Sequence, residues 1–172
     1  MKKCLSVCMA LVLLFAAFVF PAFASERIDI VLSNDIAGSV WGDDAEKFAE
    51  IVSGDIMFTP APTTDCVAVY AYNGDPYFNA LKAGRTYYID YVFSPLPGCT
   101  FPEEFSDETF SVVCGEGCTL LWYGKTVGND GSDNMTEFLS VHTRVTVKGN
   151  TVQRLIGKLL DLFLKLRSWC LY

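Results

Sequence analysis

Ala83 to Phe101 reads AGRTYYIDYVFSPLPGCTF, and this stretch decides the fold class. Ala83-Gly84 makes a turn. Tyr87, Ile89, Tyr91 and Phe93 then alternate with Thr86, Tyr88, Asp90 and Ser94. A period of two with aromatic and β-branched residues on one side marks a half-buried strand. Pro95-Leu96-Pro97-Gly98 stops it, and Thr100-Phe101 begins again.

The same grammar repeats on both sides. Upstream, Ile28, Ile30 and Leu32 alternate with Arg27, Asp29 and Val31, and Cys66 to Tyr72 (CVAVYAY) is a second short strand before the Asn73-Gly74-Asp75-Pro76 turn. Downstream, Thr109 to Cys114 and Thr119 to Tyr123 flank Gly115-Glu116-Gly117, which predicts a β-hairpin. Phe138 to Lys148 is the cleanest strand, with Leu139, Val141, Thr143, Val145 and Val147 on one face. Asp43 to Val52 places Ala45, Phe48, Ala49 and Val52 at helical spacing behind acidic residues, which predicts a short helix ended by Gly54. The expectation is an all-β domain over 25–150, a sandwich or open barrel with one short helix, followed by a separate helix over 151–172.

The pattern AGxTYYIxYxF, a Gly-containing turn with TFP and a closing VTVxGN resembles Ig-like β-sandwich modules of secreted and surface proteins of Clostridia-type Gram-positive bacteria. These modules carry a GYxF element where this chain has Gly98-Cys99-Thr100-Phe101. The resemblance covers Ile28 to Asn150 and implies an extracellular, non-catalytic spacer or interaction module. It transfers no functional residues.

The start of the chain places it outside the cytoplasm. Lys2 and Lys3 precede an apolar run from Cys4 to Phe20, and Pro21 and Ala22-Phe23-Ala24 follow. Charge, apolar core and small residues at the cleavage positions predict a signal peptide over 1–24. An apolar length of about 17 residues sits at the bottom of the spanning range, so an uncleaved anchor is the alternative. The protein is expected to be secreted, extracellular or associated with the cell envelope.

Charge excludes one partner class. Residues 25–150 hold 7 Lys/Arg against 19 Asp/Glu, a balance of −12. Residues 151–172 hold 4 against 1, a balance of +3. Nucleic acid demands clustered positive charge that the body lacks.

Catalytic signals are weak. His142 is the only histidine and falls on the polar face of its strand, without a nucleophile or orienting carboxylate signalled nearby. There is no G-x-S-x-G elbow, phosphate loop or dinucleotide fingerprint. Asp130, Asp133 and Asn134 supply oxygen atoms on a loop, but the spacing does not match an EF-hand and reads as a turn. No metal, no cofactor and no enzymatic activity are expected.

Five cysteines follow the leader: Cys66, Cys99, Cys114, Cys118 and Cys170. Cys114 and Cys118 flank a three-residue turn and are the disulfide candidate, with two buried thiols as the alternative. Aromatic residues are dense. Tyr70, Tyr72 and Tyr88 stand out of phase with their strands' apolar residues and are the candidate ligand-binding side chains, for a glycan or a protein.

Finally, TVQRLIGKLLDLFLKLRSWCLY (Thr151–Tyr172) puts Arg154, Lys158, Asp161, Lys165 and Ser168 on one face of a helix and leaves a wide apolar arc. Arg154, Lys158, Lys165 and Trp169 are the candidate membrane contacts. Docking on its own domain, or pairing with another copy, is the alternative. The function expected is a non-catalytic secreted or envelope-associated bacterial module for binding or assembly. A carbohydrate-binding module with exposed aromatics is the second reading, and a small hydrolase with a carboxylate pair the third.

Overall fold

A computed structural model describes residues 27–40, 45–59, 66–129 and 135–169. The signal sequence expected over 1–24, the Asp130, Asp133 and Asn134 loop, and Cys170 lie outside the described residues.

The central strand forms where expected. β5 (Thr86–Pro95) buries Tyr87, Ile89, Tyr91 and Phe93 at 2% exposure or less. It is paired on both edges. β8 (Met135–Thr146) runs antiparallel on one side, from Thr86↔Thr146 to Phe93↔Leu139. Two shorter strands share the other side, β3 (Ile56–Phe58) and β4 (Val67–Ala71). β7 (Cys118–Asn129) pairs with β8 and completes a five-stranded sheet. The face of β8 read from its period is correct: Leu139, Val141, Thr143, Val145 and Val147 are fully buried.

A second, three-stranded sheet has the order β2–β1–β6. β1 (Ile28–Leu32) runs antiparallel to β2 (Ala49–Ser53) and parallel to β6 (Phe110–Cys114). Ile28, Ile30, Leu32 and Phe110 from this sheet share one core with Tyr87, Ile89, Tyr91, Leu139 and Val145 from the other. The chain is therefore mostly β, in two sheets, with one long helix.

Two expectations are corrected. The helix predicted over 43–52 is absent among the described residues there: Ala45–Lys47 makes a single 3-10 turn and Ala49–Ser53 is strand. Phe48 and Ala49 are both buried because the chain turns between them, and this mimics helical spacing. The edge of β1 decides the outcome. Leu32 pairs with Ala49 and Ser33 N donates to the Phe48 carbonyl at 2.9 Å. β-branched Ile51 and Val52 suit the pairing, whereas a helix of two or three turns has little stability of its own.

The hairpin predicted at 109–123 is not one. β6 joins the three-stranded sheet and β7 the five-stranded one, so the Gly115–Gly117 turn carries the chain from one sheet to the other. Gly117 adopts φ +81 there, and its carbonyl accepts from Thr146 N at 2.7 Å.

The C-terminal helix forms as α1 (Thr151–Trp169). Asn150 and Gln153 cap it reciprocally: Gln153 N donates to Asn150 Oδ1 at 2.9 Å, and Asn150 N donates to Gln153 Oε1 at 2.8 Å. It docks on its own domain, but by its polar stripe. Gly157 rests on Gly84, and Arg85 Nε donates to Asp161 Oδ1 at 2.9 Å, with Asp161 only 7% exposed. The apolar arc faces away from the body. Where the helix docks, the surface the body offers it is glycine backbone and a guanidinium.

Candidate binding face

The alternation that buries one side of β5 and β8 turns the other side to solvent. Register then lines up residues from four strands. Tyr70 opposes Tyr88, Tyr88 opposes Arg144, and Arg144 opposes Thr119. In the next row Asp90 opposes His142, and His142 opposes Trp122. The result is a continuous aromatic and charged face.

Tyr70, Tyr72 and Tyr88, singled out from the sequence, are all half-buried on this face. Tyr72 and Tyr88 stack with centroids 6.0 Å apart and planes inclined by 22°. Such a pair offers a flat apolar platform with a phenolic rim.

His142 is not the isolated residue that the sequence suggests. Its Nδ1 lies 2.6 Å from Asp90 Oδ1. Its ring sits 5.0 Å from that of Trp122, which is 46% exposed. The carboxylate orients the imidazole and the indole covers it. The nearby Ser140 hydroxyl is occupied by Thr126 Oγ1 at 2.8 Å. The arrangement provides an oriented, half-buried imidazole beside an exposed aromatic ring.

Where α1 crosses the end of this face a groove of about 490 Å³ opens. Tyr72, Thr119, Arg144, Lys158 and Lys165 line it, with Asp161 engaged by Arg85. Three cations thus gather in a chain whose overall charge is −7. Of the predicted membrane contacts, Lys158 and Lys165 meet at this groove. Arg154 does not: its Nε donates to the Gly149 carbonyl at 2.9 Å and its Nη1 pairs with Glu116 at 3.2 Å, which docks the helix. The Trp169 side chain lies outside what is described.

Cys114 and Cys118 lie close enough to interact across the turn and are free thiols. Burial, and then the neighbouring Cys114, push the Cys118 thiol up to about 12. Among the described residues no group of three His, Cys, Asp or Glu side chains is placed to hold a metal ion.

Asp90, His142, Arg144 and Trp122 are the residues that sequence reasoning left out of the site. Asp90, His142 and Arg144 lie on the polar phase of strands that the sequence marks, whereas Trp122, two residues after core-packed Leu120, reaches this face through the register shift between them. Their meeting depends on the register of β8 against both β5 and β7. No protein-family model, curated protein or solved structure matches the chain.

Proposed function

We propose that the chain is a non-catalytic bacterial module, secreted or held at the cell envelope, whose Ig-like sandwich binds or assembles through the outer face of the five-stranded sheet. The observation that carries this reading is the Tyr72–Tyr88 platform, which continues in register to Arg144. Aromatic planes beside fixed polar groups suit a ligand with both an apolar face and hydroxyl or charged edges.

The stacked pair favours a glycan over a protein as the ligand. A sugar ring presents an apolar C–H face to an aromatic plane, and Arg144 and the Asp90-oriented His142 lie within the same face to take its polar edge. The test is titration of the protein with a panel of soluble polysaccharides and peptidoglycan fragments. The expected result is binding that Tyr72→Ala and Tyr88→Ala each weaken about tenfold, the scale of one lost stacking contact. Unchanged affinity in both variants removes the glycan reading.

A further inference from the structure

The polar side of α1 is spent on the body, and its apolar side is left facing outward. Leu155, Ile156, Leu159, Leu162, Phe163 and Leu166 are 49–67% exposed. With Leu160 they span about 160° of the helix circumference, at 100° per residue. Gly157 and Asp161, on the opposite side, are buried against the domain. An apolar surface of this width in water calls for an occupant.

Charge identifies it. The only acid in α1 is Asp161, which is turned inward and paired with Arg85. The free side therefore carries no carboxylate at all. Lys158 and Lys165 stand along one edge of the arc and Arg167 along the other. The helix of a second copy would bring the same cationic rims and no free acid of its own to pair with them. A two-helix seam also needs a narrower stripe than this one. A surface that is apolar below and anionic at its rim satisfies both features. The helix is not long and apolar enough to cross a membrane.

We propose that α1 lies in the surface of an anionic lipid membrane. Its apolar arc sits among the acyl chains, and a headgroup phosphate occupies the groove between Lys158, Lys165 and Arg144. The groove opens beside Leu162, on the flank where the headgroup layer would lie. The body, with its balance of −12, is repelled by such a surface, which confines contact to the helix. This deepens the envelope-associated reading and rests on it for the place where the chain meets lipid. The glycan reading shares Arg144 and Tyr72 with this groove, so the two are separated through Tyr88, which does not line it.

The test is vesicle flotation of the protein as purified after export, with its N-terminus established by mass. Wild type is expected to float with phosphatidylglycerol-containing vesicles and to remain at the bottom with phosphatidylcholine alone. Leu159→Ser/Phe163→Ser removes two of the exposed apolar side chains and is expected to lower the bound fraction at least tenfold. Lys158→Glu/Lys165→Glu is expected to lower anionic-vesicle binding at least tenfold. All four side chains are exposed, and circular dichroism melts check that the variants stay folded. Equal flotation on both lipids, or flotation that survives in Leu159→Ser/Phe163→Ser, overturns the proposal. So does failure of wild type to float, including the case of a dimer in sedimentation equilibrium that Leu159→Ser/Phe163→Ser dissociates, which assigns the arc to a second copy. Tyr88→Ala is run alongside: lost glycan binding with flotation intact separates the fate of the ligand reading from that of the lipid one.

Discussion

Gly157 of the helix lies directly on the backbone of Gly84, so closely that a methyl group on Gly157 would overlap the Gly84 carbonyl oxygen. The contact is reciprocal: a methyl group on Gly84 would overlap the carbonyl of Gln153 and stand 2.6 Å from Arg154 N. Gly84 also holds φ +79, a conformation that L side chains rarely adopt. Backbone-to-backbone approach of this kind needs two residues without Cβ atoms.

Gly157→Ala is therefore expected to undock the helix while leaving it helical. Forcing a methyl into a closed contact costs about 1–3 kcal/mol. Hydrogen exchange is the direct measurement. Amides of 155–165 should lose protection in Gly157→Ala, while those of β5 and β8 keep theirs. Unchanged protection of the helix would show that the glycine contact does not hold it.

The Arg85–Asp161 pair is the second clamp, with side-chain exposures of 17% and 9%. Removing one partner of a buried pair strands the other charge, a loss of about 3 kcal/mol or more. Asp161→Leu and Arg85→Met should each destabilise the docked helix by that order. The double variant should recover most of the loss, because no charge is then left unpaired. A urea-denaturation double-mutant cycle measures this, and simple additivity would rule out the coupling.

The Tyr91 hydroxyl is buried without a hydrogen bond of ordinary geometry, and the neighbouring Thr143 hydroxyl donates instead to the Ile89 carbonyl at 3.0 Å. Burial, with smaller contributions from Cys118 and Cys114, pushes its ionisation far above the ordinary phenol value. Tyr91→Phe removes a desolvated group and keeps the ring, so stability should hold or rise by about 1 kcal/mol. A clear fall in the urea midpoint would mean that the hydroxyl has a partner in solution.

Alkaline pH should unfold the domain. Burial pushes Tyr87 from 10.0 up to about 12, and Cys118 from 9.0 up to about 12. Both groups are neutral when protonated, and the folded state holds their protons more tightly than the unfolded state. Stability is thus fully present below pH 9.0, and is lost as pH rises through the window to about 12. Urea midpoints at pH 8, 10 and 11 should fall in that order, and Cys118→Ala should flatten the first part of the fall. The same burial predicts slow alkylation of Cys118 by iodoacetamide at pH 8 in the folded protein.

Local pattern in the chain was enough for β5, β8 and α1. β5 and β8 each bury one side, and a period of two reports that directly. The helix has a sustained 3.6-residue period, to which the structure adds the Asn150 cap. The segment 45–53 and the 109–123 turn went the other way, because their states depend on the edges of β1 and β8, strands distant in sequence. Tyr70, Tyr72 and Tyr88 were legible as site candidates from their phase, whereas Asp90, His142 and Trp122 were not, since a row across a sheet exists only once register is set.

What the sequence determined by itself was therefore the set of strands, which face of each is apolar, and a helix with one polar and one apolar side. These are one-dimensional properties, carried by spacing along the chain. Tertiary structure alone decided which strand pairs with which, that β6 and β7 part company across a glycine turn, and which side of α1 is held. The last is the least intuitive. At the docking point Gly84 and Arg85 offered only backbone and charge, so the helix docked by Gly157 and Asp161 and its apolar arc was left outside.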